Sequence, residues 1–387
     1  MARTKKSSPH GAGQPPVVLV LQGGGALGAY QAGVYEGLHG AGLAPDWIAG
    51  ISIGAFNTAI IAGNPPERRI DALREFWDTI SQPGFLPPAL PPGLGDQLQF
   101  DTTTRSWLDG WEAMRALVEG QAGFFAPRTW TPQDLFLPPG TARASWYDTT
   151  PMRHTLERLV DFDRLNDGGI HVSVGAVDVA SANFEYFDNA RMRLDVRHIL
   201  ASGALPPAFP AVEIDGRWFW DGGLVSNTPL SQLFEAETRF DALVFQVDLW
   251  SADGELPTTL PDVAERQKEI QYSSRTRLIT DMQRRFQHYR RLLRELLEEI
   301  PEDVRRSSPW AQHAAKLACD HRYSLIHLIY RDRARGNHFK DYQFGPLSMR
   351  EHWRCGHADV RRALANPGWL QLPTGEQSFA VHDASAN

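Results

Sequence analysis

The chain has 387 residues, 42% hydrophobic and 22% charged, with a formal net charge of −7. That length allows about two domains and a large core, in the composition of a soluble globular protein. The acidic balance argues against a nucleic-acid partner, and the two cysteines, Cys319 and Cys355, exclude a disulfide framework and suit a reducing compartment.

Residues 1–16 are basic but lead into no apolar segment long enough for export, and are expected to be a disordered leader. No stretch of about 18 apolar residues follows anywhere, so a cytoplasmic protein is expected, meeting any lipid from the membrane periphery. Val17 to Leu21 is a short continuous apolar run, as for a strand buried on both faces of a parallel sheet. Gly23-Gly24-Gly25 then gives a tight turn whose N–H groups can approach a ligand. Leu27, Tyr30, Val34 and Leu38 follow at helical spacing, so the loop opens a helix whose N-terminus favours negative charge. Trp47 to Ile51 reads as a second buried strand and Ala55 to Ala62 as a second helix, stopped by Gly63-Asn64-Pro65-Pro66. Ser52, framed as Gly50-Ile51-Ser52-Ile53-Gly54, therefore sits on a strand-to-helix turn of the kind that lifts a nucleophilic serine above a sheet. Gly23, Gly25 and Gly28 also match a dinucleotide fingerprint, with Asp46 as the ribose acid, but Asp46 precedes the second strand instead of ending it.

Ile70, Leu73, Phe76, Trp77 and Ile80 define a further amphipathic helix. From about residue 81 to 145 prolines such as Pro83, Pro92, Pro127 and Pro138 interrupt the chain. Aromatics accompany them, among them Trp107, Trp111, Phe124, Phe125 and Trp130. The stretch reads as a cap or lid near the site, or as a surface elaboration with its own small core. Thr150-Pro151 opens a helix to Leu159. Strands are expected over Ile170 to Val179, Asn183 to Phe187, Arg217 to Trp220 and Ala242 to Leu249, with a helix over Asp195 to Gly203. Strands alternating with helices imply a mainly parallel α/β sheet.

Three motifs carry a resemblance. QGGGALGAYQAGV followed by GISIGAFN, and then Asp221-Gly222-Gly223 after GRWFW, resemble the patatin-like phospholipase family in type and order. The resemblance implies a patatin-like three-layer α/β/α sandwich with a mainly parallel central sheet, over residues 17–250, with 81–145 as the insert. A largely helical C-terminal domain is expected over 251–387. It implies a serine lipid acyl hydrolase that needs no metal or organic cofactor and works through a Ser–Asp dyad. Ser52 would be the nucleophile and Asp221 the general base. The Gly23, Gly24, Gly25, Ala26 and Gly28 motif would surround the oxyanion site, joined by Ile53 of the elbow, and Gly222 and Gly223 would follow the base. The family often has Arg or Lys where this chain has Leu27. An aspartate at about 3.9 is a poor base, so its site must raise that value, and Trp218, Phe219 and Trp220 are the adjacent candidates for its desolvation.

Other readings stay open. A Ser–His–Asp triad could draw on His154, His171, His198 or His321, and Asp178 or Asp248 could replace Asp221. The activity could be that of a thioesterase or a hydroxyacyl-oligomer hydrolase. The chain could instead be a catalytically silent scaffold or a nucleotide-binding oxidoreductase. Beyond Trp250, Ile279, Met282, Phe286, Tyr289, Leu293, Leu296 and Ile300 alternate steps of three and four, in a helix rich in arginine. That seam packs onto the main domain or another helix, forms a homodimer, or lies on a membrane. IHLIYRDRARGNHFKDYQFGPLSMREHWRCGHADVRRAL resembles a C-terminal domain of unassigned function appended to bacterial patatin-like proteins. His352, Cys355 and His357 cluster without a fourth ligand, so no metal is expected.

Overall fold

The computed structural model describes residues 15–82, 102–129, 140–235, 239–331, 340–375 and 377–384. Most of the leader, Pro83 to Pro92, Trp130 and Pro132 to Pro139 lie outside the described residues.

β1 (Val17–Leu21) is buried along its whole length and leads through the glycine loop into α1 (Ala29–Gly40). β2 (Trp47–Gly50) turns at Ser52 into α2 (Ile53–Ala62), which begins two residues before the expected helix. The insert carries an 18-residue helix over Thr102–Glu119 and then β3 (Ala126–Pro127), which pairs with β4 (Tyr147–Asp148) just after it. Then come β5 (His171–Asp178), β6 (Phe184–Asp188), β7 (Val212–Ile214), β8 (Arg217–Asp221) and β9 (Ala242–Asp248). The chain after Trp250 is largely helical, led by a 40-residue helix over Leu260–Glu299, but it also supplies β10 (Tyr323–Ile329) and β11 (Phe379–Asp383).

Nine strands form one sheet in the order β11-β10-β9-β1-β2-β5-β8-β7, with β6 also on β5. Every pairing from β11 to β5 along that order is parallel, whereas β6 and β8 meet β5 antiparallel and β7 meets β8 antiparallel. Strand alternation divides β1 between two cores. Val17, Leu19 and Leu21 join the larger one under α1 and α2, and Val18 and Val20 join Leu230, Phe234 and Tyr323 on the other face. Helices therefore cover both faces, as a parallel sheet requires.

The heptad seam corrects one expectation. Met282, Phe286, Tyr289 and Leu296 are exposed, while the inward face of the long helix carries Gln283 and Gln287, fully buried. Gln287 Nε2 donates to the carbonyl of His321 at 2.8 Å, so polar side chains serve the docked side. Of the seam, Ile279 packs on the second core, while most of the rest of the row faces outward. Among the described residues no helix is long and apolar enough to cross a membrane.

Candidate active site

A tight elbow places Ser52. Its φ of 56° is unusual for a residue with a Cβ, and such conformations cost on the order of 1–3 kcal/mol unless their surroundings impose them. The surroundings here do so, because the Ser52 N–H donates to the carbonyl and hydroxyl of Ser202, each at 3.1 Å. Room is made by Gly54, where a Cβ would come within 2.5 Å of the Leu21 carbonyl oxygen.

Asp221 arrives from the other direction. It ends β8, the antiparallel neighbour of β5, with Ala176 as its register partner, and it is 1% exposed. Burial pushes its carboxyl up to about 7, opposed by hydrogen bonds from the Gly223 N–H at 2.7 Å and from the Ser52 hydroxyl. Ser52 and Asp221, 169 positions apart in the chain, thus line the same cavity. Strand alternation puts Phe219 on the Asp221 side of β8 and Trp218 and Trp220 on the other. Phe219 is buried against Phe187, so of the three adjacent rings only that one shares the face of the base.

The glycine loop closes the third side, and its N–H groups are not equivalent. Gly23 donates to the Asn227 carbonyl at 3.2 Å and Ala26 to the Asp341 carbonyl at 3.0 Å. Among the described residues no protein acceptor meets the N–H groups of Gly24, Gly25 or Ile53, and all three residues line the same cavity as Ser52 and Asp221. Of the N–H groups expected over Gly23 to Ala26, those of Gly23 and Ala26 are thus already taken by backbone carbonyls. Gly28 packs on Ile53 and Trp77, and Leu27, where the family often carries a cation, is fully buried.

The cavity measures about 400 Å³. One wall is an aromatic cluster in which Phe124 stands 5.2 Å from Phe125, 5.6 Å from Phe209 and 5.3 Å from Phe344, ring centre to ring centre. Leu117 and Trp146, both well exposed, lie at its edge, and Trp250, Tyr272 and Tyr342 line another side. The insert thus contributes Leu117, Phe124 and Phe125 to the cavity, and the chain beyond Trp250 contributes Tyr272, Asp341, Tyr342 and Phe344. None of these last four stands out in the sequence, because each owes its role to a fold-level approach and not to a local pattern.

The competing groups lie elsewhere. His171 pairs with Asp188, His198 with Asp195 and His321 with Asp241, while His154 is exposed. Among the described residues no histidine lines the cavity. Asp178 is taken up by Arg217 and Ser181, and Asp248 by His327 and Gln246. Asp46 accepts from the Val17 N–H at 2.8 Å, at the opposite end of β1 from the glycine loop, where no ribose bound there could reach it. Tyr330 stands edge-on to His352, 5.0 Å away, and Cys355 packs on the larger core.

A family model described as patatin-like phospholipase matches residues 19–234, and one described as patatin phospholipase matches 270–376. Solved structures similar to this chain include VipD from Legionella pneumophila, at 14% identity and a TM-score of 0.38, over 94% of this chain and 72% of that one. The type III effector ExoU of Pseudomonas aeruginosa is 15% identical with a TM-score of 0.30, over 92% of this chain and 53% of that one. Human GIVD cytosolic phospholipase A2 is 12% identical with a TM-score of 0.38, over 92% and 60%. This chain thus spans less than two thirds of the length of the latter two. No curated protein matches its sequence.

Proposed function

The chain belongs to the patatin-like phospholipase family, and from that premise we propose that it is a serine hydrolase of carboxylic esters in acyl lipids, working through an acyl-Ser52 intermediate. The single observation that carries this reading is that Ser52, on its elbow, and a buried carboxyl raised to about 7 line one cavity. A base near the working pH is half ionised yet basic enough to take a hydroxyl proton as the bond to carbon forms.

In the first half-reaction the Ser52 oxygen attacks the ester carbonyl and its proton passes to Asp221. The tetrahedral oxyanion receives hydrogen bonds from Gly24 and Gly25, with Ile53 as the third donor. The intermediate collapses, the alkoxide leaves with the proton held by Asp221, and the acyl group stays on Ser52. Water repeats the sequence in reverse, giving its proton to Asp221 and freeing the acid. The aromatic wall supplies an apolar seat for an acyl chain. A thioester or a hydroxyacyl oligomer would pass through the same steps, with substrate choice left to the cavity.

The substrate would be met at a membrane surface or lipid aggregate, reached from the cytoplasm, since two cysteines are too few for a disulfide framework and suit a reducing compartment. The outward apolar row of the long helix is read as the face of a homodimer.

Short-chain esters and phospholipid vesicles given to wild type, Ser52→Ala and Asp221→Ala test the reading. Hydrolysis by wild type should fall by about 10³-fold or more in both variants, with the fold retained. A fluorophosphonate should label wild type at Ser52 and leave Ser52→Ala unlabelled. Activity persisting in Asp221→Ala would move the base elsewhere. Absence of both labelling and hydrolysis in wild type would leave a binding protein.

A further inference from the structure

The glycine loop is held from outside itself. The Gly23 carbonyl accepts from Asn227 Nδ2 at 2.9 Å and from Trp250 Nε1 at 3.0 Å, which fastens the start of the loop. Its end is fastened by the Asp341 carbonyl, acceptor for the Ala26 N–H. Approach there is backbone to backbone. Gly25 has φ +56°, and a Cβ on it would overlap the Asp341 carbonyl oxygen. Only glycine satisfies both demands.

Asp341 is anchored in turn. Lys268 Nζ, on the long helix, donates to its two carboxylate oxygens at 3.0 and 2.9 Å and lies 4.6 Å from the centre of the Tyr342 ring. One residue earlier Lys340, 5% exposed, reaches Glu265 at 2.8 Å and Glu269 at 2.7 Å. Its ammonium also lies 5.4 Å from the centre of the Trp250 ring, the ring whose N–H holds Gly23. The long helix thus grips the segment at two successive residues. Both grips lie next to the loop, and buried or half-buried pairs of this kind are less screened than surface ones.

We propose that Lys340 to Tyr342, gripped by Lys268, is a clamp that holds the Gly23–Ala26 loop in its anion-binding shape, with Asp341 and Lys268 as positioning residues for hydrolysis at Ser52. The proposal rests on reading Ser52 as the nucleophile. With Gly23 and Ala26 fixed at either end, the intervening N–H groups of Gly24 and Gly25 keep a common aim. With the Asp341 end free, the peptide between Gly25 and Ala26 can turn, and oxyanion donors act only when already aligned. The region beyond Trp250 then serves the chemistry directly, although neither of its positioning residues touches the reacting atoms.

Two readouts on full-length protein test this. Amide exchange at Ala26 reports the clamp whether or not any ester is cleaved. Steady-state kinetics on a short-chain ester report its consequence. In Asp341→Ala and in Lys268→Met, Ala26 should exchange faster. Their kcat should fall about 10- to 100-fold with KM within about threefold, less than the loss of a whole donor. The pH midpoint should stay where Asp221 sets it. Asp341→Asn, whose Oδ1 still accepts from Lys268, should restore most of the rate. Unchanged exchange at Ala26 in both disruptive variants overturns the clamp, as does faster exchange with wild-type kcat. Faster exchange together with a wild type that cleaves no ester keeps the clamp and removes the hydrolase reading.

Discussion

A carboxyl raised to about 7 sets two pH dependences of opposite value to the protein. As a base Asp221 must be ionised, so kcat/KM should rise with pH and level off above about 7, a profile that short-chain ester kinetics from pH 5 to 9 would show. For stability the direction reverses. The folded value lies above the ordinary 3.8, so the folded chain holds this proton more tightly than the unfolded chain does. The benefit is complete below about pH 4 and is lost as pH rises through about 7. The rise corresponds to about 4 kcal/mol, an upper figure for a fully buried group. Asp221→Asn, which cannot ionise, should be inactive yet more stable than wild type at pH 8, with the urea midpoints converging toward pH 4. Parallel midpoints at all pH values would sink this account. Ser52 and Asp221 were legible in the sequence because each sits in a short motif that a strand-to-turn junction demands. That Asp221 must be desolvated was legible from its chemistry, but most of what buries it was not, since the rings beside it along β8 mostly face away and the cavity that encloses it comes from distant elements.

The long helix shows where hydrophobic spacing falls short at the level of an element. A heptad seam says which residues share a face, not which face meets the protein. Here Gln283 and Gln287 take the inward side because a backbone carbonyl of His321 needs a donor there, and Met282, Phe286, Tyr289 and Leu296 are left outside. Antiparallel pairing with a second copy, centred between Gln287 and His288, would set Phe286 against Tyr289 and Met282 against Leu293. It would also bring Asp281 to Arg294 and Arg277 to Glu298, so the flanking charges complement as well. Sedimentation should then give twice the chain mass of 43.3 kDa for wild type and the single mass for Phe286→Glu. A single mass for wild type at tens of micromolar would end the homodimer reading. The same spacing rule misses β10, since Tyr323 to Ile329 is one short apolar run in a stretch otherwise dominated by helical patterns.

At the scale of the whole molecule, segments far apart in sequence pack directly on one another. The helix over Pro346–Leu364 lies so close to α1 that a Cβ on Gly356 would overlap the Tyr30 carbonyl oxygen, and one on Gly33 that of Trp353. Tyr30 Oη donates to Asp359 at 2.8 Å across the same contact. Gly356→Leu should therefore lower stability by about 3 kcal/mol, the upper end of overpacking, with a matching fall in urea midpoint. Wild-type stability in that variant would mean the helices can part at little loss. The mainly parallel sheet was readable from alternating strands and helices, but its extension by β10 and β11 was not, because strand order depends on contacts far apart in the chain. The order carries a kinetic consequence. β1 lies between β2 and β9, and Leu19 finds its second partner only at Phe245, 226 positions later (245 − 19). Loop closure over such a span makes assembly slow. Until β9 arrives, Val18 and Val20 have an open strand edge beside them, so the central strand that feeds the glycine loop is also the one that a growing chain must shield longest from its neighbours.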